Sequence, residues 1–167
     1  MTDSILVREA SAHDLESISG LWRALIAHHE PLNPRLYGLE AHSEVTYQAL
    51  VRRQLRDAHG MVIVAVDGQR IVGYLMGAEG YRSPVYTRRR VGMIYDMFVD
   101  PDYRRHGVGR RLVEAAVTTF RAAGLEDIQV NYDPTNEAAR AFWSALGFGV
   151  LLVEAYRTYG DHDVNVT

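Results

Sequence analysis

VDPDYRRHGVGRRL, residues 99–112, decides how this chain is read. Before it runs VGMIYDMFV (91–99), a β-type stretch apolar on both faces, as at the centre of a sheet. After it, Leu112, Ala116, Val117 and Phe120 recur at helical spacing over 108–123. A strand, a glycine loop and a helix therefore follow one another. The first N–H groups of a helix lack internal partners, and the helix dipole places partial positive charge there. Gly107 and Gly109 let the backbone turn and approach a ligand closely. Arg104, Arg105, Arg110 and Arg111 supply charge-assisted donors. Together they predict a phosphate site, with pyrophosphate the natural fit.

Two common nucleotide loops do not match. A Rossmann fingerprint needs a third glycine where this chain has Leu112, and it opens the first strand–turn–helix rather than a late one. A Walker loop needs lysine, and all 18 basic residues here are arginine. The same absence excludes a Schiff-base lysine. With no cysteine, a disulfide scaffold, a thiolate metal site and a cysteine nucleophile are excluded too.

The length of 167 residues predicts one domain, and a hydrophobic content of 47% is enough for a core. The opening MTDSILVREA has no apolar signal core, and the run MVIVAV (61–66) is too short to span a bilayer, so the sequence predicts a soluble, cytoplasmic protein without membrane association.

Outward from the glycine loop, the elements fall in order. ILVREA (5–10) reads as a strand. Ser11 and Asp14 form a capping-box pattern before a helix carrying Leu15, Ile18, Trp22, Leu25 and Ile26. HHEPLNPRLYG (28–38) reads as a loop because of its prolines and glycine. Residues 43–58 read as a helix with Val45, Leu50, Val51 and Leu55 inward. Asp67-Gly68 marks a hairpin over 61–80. Residues 125–132 read as a strand, 136–146 as a helix closed by Gly147, and GFGVLLVEAYRTYG (147–160) as one or two final strands. The sum is a single α/β domain, 1–167, with an antiparallel hairpin followed by strand–helix–strand units that favour parallel pairing.

Arg104-x-x-Gly107-x-Gly109, following a strand that ends V-x-P, resembles the acyl-CoA pyrophosphate loop of the GNAT superfamily of N-acyltransferases. VNYDPTNEAARAFWSALGF (130–148) resembles that family's later motif, with Asn136, Ala139, Phe142, Trp143, Gly147 and Phe148 in place. The opening residues also resemble the family's, so the likeness runs from about residue 5 to about residue 158.

The resemblance implies a mixed, splayed sheet of about six to seven strands flanked by about four helices. It implies acetyl-CoA as co-substrate, its pantetheine arm against backbone at Met97, Phe98 and Val99. The pyrophosphate would take amides of Arg105, His106, Gly107, Val108, Gly109 and Arg110, beside Arg104. Asn136 and Phe142 would line the far side, Asn136 reading equally as a helix N-cap. The acceptor would be a primary amine of a small molecule or peptide, which attacks the thioester directly without an acyl-enzyme. Homodimers are common in the family.

Asp96, among apolar neighbours between Ile94 and Phe98, suits a general base, and its position resembles an acidic residue of many family members. Many members carry tyrosine where this chain has Trp143, and indole is only a hydrogen-bond donor. Tyr132 is the candidate acid, with Tyr95 or water as substitutes. Asp96 could also be a buried structural acid, and the chain a non-catalytic acyl-CoA sensor. His28-His29-Glu30 lacks metal-ligand spacing and reads as the edge of the acceptor pocket; no metal is expected. Arg88, Arg89 and Arg90 read as a solvated loop rather than a nucleic-acid patch, given a net charge of −3.

Overall fold

The computed structural model describes residues 5–155 and 157. Strands β1 (Ile5–Glu9), β2 (Gly60–Asp67), β3 (Arg70–Tyr81), β4 (Arg90–Val99) and β5 (Ile128–Val130) form one sheet in chain order. The first three pairings are antiparallel and β4–β5 is parallel. The helices are α1 (Leu15–His29), the single turn α2 (Pro34–Tyr37), α3 (Ser43–Arg56), α4 (Val108–Ala122) and α5 (Glu137–Ala145).

Alternation along β2 explains the layers. Val62, Val64 and Val66 point to one face, where Leu15, Ile18, Trp22, Tyr47 and Val51 of α1 and α3 cover them. Ile63 and Ala65 point to the other, beneath Leu112, Val113, Ala116 and Phe120 of α4 and Trp143 of α5. A central sheet buried on both faces reads as a continuous apolar run, as β2 does.

The sheet has five strands among the described residues, fewer than the six to seven expected. Residues 149–155 take no strand, and Val150 to Val153 are 72–81% exposed. A β-rich run becomes a strand only with an edge to pair, and α5 ends with Gly147 at positive φ and Phe148 folded back on Trp143. The rest of the expected final strands and the tail, 156 and 158–167, lies outside the described residues. The 125–132 strand is trimmed to three residues. Within the expected 28–38 loop, Asn33 caps α2, accepting from Leu36 N–H at 3.3 Å, with Pro34 in the first turn.

α3 is rotated from the sequence reading. Val45 and Leu50 are exposed, and Tyr47 and Val51 face the core. The inward row is Tyr47, Val51 and Leu55 at i, i+4 spacing, so the tyrosine outcompetes the aliphatics. No helix among the described residues is long and apolar enough to cross a membrane.

Candidate active site

β4 and β5 pair only at Gly92↔Ile128, Met93↔Gln129 and Ile94↔Val130. Asp127 holds that end shut. It accepts from Arg82 at 2.8 Å and Arg88 at 3.0 Å, and its carbonyl takes Gly92 N–H at 2.9 Å. Arg90 forks onto Glu79 at 2.6 and 3.0 Å. Arg88, Arg89 and Arg90 are exposed, as expected of a solvated loop, while Arg88 and Arg90 are also ion-paired. Beyond Ile94 the two strands part, leaving the β5-facing edge of 95–99 without a ladder.

At this point β4 also bulges. Met76 pairs with Asp96 and Gly77 with Ile94, so Tyr95 is the extra residue. The bulge reverses the alternation. Ile94, Met97 and Val99 belong to the α4 face, and Phe98 to the α1/α3 face. Asp96 joins Phe98, contacting Tyr47 of α3. Asp96 and Ile94 thus point to opposite faces, where plain alternation placed them together.

Asp96 Oδ2 accepts from Tyr47 O–H at 3.0 Å, and the Tyr47 and Tyr74 hydroxyls lie 3.1 Å apart. Burial pushes the Asp96 carboxyl above its ordinary value, opposed by the Tyr47 hydrogen bond and, when its ring is protonated, by His29. Tyr47 and Tyr74 are raised in turn, chiefly by burial, so both phenols stay protonated.

Across the splay, α1 and α2 meet the β5–α5 loop. His29 Nδ1 donates to Leu25 O at 2.9 Å, leaving Nε2 to accept from Asn136 Nδ2 at 3.2 Å. Asn136 Oδ1 caps α5 through Ala139 N–H at 3.0 Å, which is the N-cap reading of this residue. Asn33 donates to Asp133 at 3.3 Å. Asp133, held by Thr135, lies below the usual carboxylate range. Tyr37 packs beside His29, its phenol raised by burial and by Asp133 and Asp96.

The glycine loop sits past the open end. A 3₁₀ turn, Pro101–Tyr103, is pinned by Arg70 on Asp100 at 2.7 Å and Tyr103 on Asp67 at 3.0 Å. Arg105 and Gly107 then adopt left-handed φ of 63° and 78°. Buried Val108 anchors the start of α4. Arg111 N–H bonds Gly107 O at 3.0 Å, so the amides of Val108, Gly109 and Arg110 precede the first intrahelical donor. A Cβ on Gly109 would meet the Phe142 ring at 3.2 Å, so glycine here lets α5 press against the loop. Arg104 turns back onto β4, donating to Val99 O at 3.0 Å above the Phe98 ring. It also helps hold His28 below its usual value, after burial. Arg105, His106 and Arg110 are exposed.

The structure thus brings together Asp96, the edge at Met97, Phe98 and Val99, the 104–110 loop, Asn136 and Phe142. It places Tyr132 with the α4-side cluster and Asp96 on the other face. Trp143 is buried between Phe142 and Phe148 at 5.0 and 5.1 Å, a core residue. Sequence reasoning missed Tyr47, Tyr74, Tyr37, Asn33 and Asp133. Only Tyr47 carried a signal, its i, i+4 row with Val51 and Leu55. An open parallel pair leading to an amide-rich helix start suits an extended ligand with an anionic end.

That arrangement has relatives. The acetyltransferase (GNAT) family model matches residues 22–148, and the chain belongs to this family. An uncharacterized N-acetyltransferase of Archaeoglobus fulgidus is 29% identical over 90 residues, 54% of this chain and 60% of that protein. The [ribosomal protein bS18]-alanine N-acetyltransferase of Escherichia coli K12 is 34% identical over 85 residues, 49% of this chain and 57% of its own length. The chain thus spans under two thirds of these curated relatives. The x-ray structure of a tetramutant Bacillus halodurans protein superposes with a TM-score of 0.79 at 21% identity, covering 92% of this chain and 99% of that one. An aminoglycoside N-acetyltransferase, AAC(6')-Iy, in complex with CoA does so at 0.73 and 20%, covering 92% and 94%. At these identities the two structures establish the shared fold.

Proposed function

We propose that this chain is an acetyl-CoA-dependent N-acetyltransferase acting on a primary amine of a small molecule or peptide. The observation that carries the reading is the coincidence of three features. The strands part beyond Ile94, Asp96 enters at the bulge just past that point, and the free amides of α4 lie at the end of the opened edge.

Acetyl-CoA supplies an activated acyl group on a thioester. The residues present fit it. The opened backbone of Met97 and Phe98 can take the pantetheine amides as an added strand does. The carbonyl of Val99 already holds Arg104, so Arg104 closes this edge and turns the ligand toward the loop. The amides from Arg105 to Arg110 receive the pyrophosphate, with Asn136 and Phe142 forming the opposite wall.

In the transfer, the amine nitrogen bonds the thioester carbonyl carbon and the carbon–sulfur bond breaks, its electron pair leaving on sulfur. Asp96 takes the amine's proton. A backbone N–H at the splay steadies the carbonyl oxygen as charge develops on it. Tyr132, two residues past β5 and on the α4 side of the sheet, gives its proton to the departing thiolate and regains one from solvent.

The test follows free-thiol release from acetyl-CoA with a panel of primary amines, with mass detection of the acetylated product. Amine-dependent release that Asp96→Asn abolishes is expected. Tight CoA binding with no amine acetylated would favour a sensor. Stabilisation by acetyl-CoA no greater than by ATP would overturn the reading altogether.

A further inference from the structure

Resting on the reading of Asp96 as the base, we infer that Tyr47 and Tyr74 form a closed hydroxyl chain that positions Asp96: Tyr74 donates to Tyr47, Tyr47 donates to Asp96 Oδ2, and Oδ1 is left for the acceptor amine. The charge of the carboxylate fixes the direction. Tyr47 has one proton and two neighbours, the Tyr74 hydroxyl at 3.1 Å and the carboxylate at 3.0 Å. The charged acceptor wins that proton, because hydrogen bonds to ionised groups are about twice as strong as neutral ones. Tyr74 O–H must then point at Tyr47, whose oxygen still has lone pairs to accept. A hydroxyl that accepts while donating is the better donor, so Tyr74 strengthens the hold on Asp96 without touching it.

Packing holds the chain in place. Tyr74 is fully buried and Tyr47 nearly so. The Trp22 indole stacks on the Tyr47 ring, 4.3 Å between centroids and 9° between planes. Asp96 lies on this face only because the Tyr95 bulge sends it there. Three elements, α1, α3 and β3, therefore converge on one carboxylate oxygen.

The chain ends inside the protein. With Tyr74 sealed from solvent and both phenols held protonated, no proton can pass along it to bulk water. Asp96 must exchange its proton through the cleft. The tyrosines act as a fixed dipole that favours the ionised form of Asp96 against the effect of burial, rather than as a relay. Other ionisable groups facing Asp96 come from α1 and α2: His29, which favours the ionised carboxylate only when its ring is protonated, and Tyr37, whose own phenol is raised partly by Asp96. Neither bonds the carboxylate in the way Tyr47 does.

The test needs no acceptor at first. Aspartate carboxyl-carbon NMR on the wild type, Y47F and Y74F reads the Asp96 titration directly, with D96N identifying the resonance. Losing the Tyr47 donor raises the Asp96 midpoint by about one pH unit or more. Y74F raises it by a smaller amount, and Y47F/Y74F matches Y47F alone, because Tyr74 acts only through Tyr47. The acidic limb of kcat/KM, measured with spermidine and a free-N-terminus hexapeptide as probe amines, moves to higher pH by the same amounts, with KM for acetyl-CoA unchanged. A purely structural role for Tyr47 would lower stability and leave both midpoints in place, and midpoints within about 0.2 unit of wild type in Y47F overturn the inference. If Y47F does not fold, Y74F decides: a raised midpoint supports the chain and an unmoved one overturns it. Failure of the wild type to acetylate any amine in the panel would count against the functional reading. The carboxyl titration would still decide the hydroxyl chain on its own.

Discussion

Gly107→Ala tests the proposed phosphate loop at its most demanding backbone position. Gly107 lies at φ 78° and ψ −2°, in the left-handed region, immediately before α4. An L-residue held there costs about 1–2 kcal/mol. An added Cβ would find nothing within 4 Å, so side-chain collision contributes nothing. The variant then has two options. It can keep the left-handed turn and lose that energy from folding stability. Alternatively, it can relax φ, which re-aims the amides of Val108 and Gly109, and the cost reappears when a ligand forces them back. Denaturant unfolding measures the first loss and titration calorimetry with acetyl-CoA the second. Their sum should be about 1–2 kcal/mol, which as affinity alone is about 5- to 30-fold. Gly147→Ala is the control. Gly147 is also left-handed, at φ 86° with open space for a Cβ, but it closes α5. It should lose stability without losing affinity. A combined loss under about 0.5 kcal/mol in Gly107→Ala would refute the reasoning.

Gly92→Ala would drive a Cβ to 2.6 Å from the Phe120 ring beneath the closed end of the splay. It should destabilise by about 2–3 kcal/mol in denaturant unfolding, with partial recovery in a Phe120→Leu background. Asp96→Asn should lower turnover by about 10²- to 10⁴-fold while acetyl-CoA affinity, measured by calorimetry, stays unchanged. Asp14, beside Arg8 at 2.8 Å and capping Ser11, is held down to about 2 from 3.8, first by the Arg8 hydrogen bond. A lowered carboxyl stabilises the fold above its unfolded value and loses that contribution as pH falls from about 4 towards 2. Allowing for the partly exposed arginine, Asp14→Asn should cost about 1–2 kcal/mol at pH 7 and little near pH 2, by urea unfolding at both.

The parts of the fold that depend on local periodicity were legible in the chain. The Asp67-Gly68 hairpin, the strand–loop–helix around Gly107 and the two-faced burial of β4 follow from apolar runs, turn chemistry and helical spacing. Features set by a neighbouring strand were not. The Tyr95 bulge depends on how β3 counts residues against β4, and nothing local marks it, so the face of Asp96 was read by plain alternation. The apolar run at 150–153 carries β propensity, yet propensity cannot supply an edge to pair with. Of the candidate site, the glycine loop and Asp96 were visible because a glycine-rich helix start and an acid among apolar residues leave local signatures. The residues around the splay come from α1, α2, α3, β3 and the β5–α5 loop, 100 residues apart for Asn33 and Asp133, and only folding assembles them. Tyr47 shows the difficulty best. Its helical row was present, but the aliphatic Val45 and Leu50 were read as the inward face.

The most direct test of the central claim is calorimetric comparison of CoA, 3′,5′-ADP and ATP on the wild-type chain. If the opened edge of β4 takes the pantetheine arm while the α4 amides take the pyrophosphate, CoA should bind at least about tenfold more tightly than either nucleotide, the arm adding contacts that ADP lacks. Equal affinities for all three would make the loop a general anion site and contradict the account.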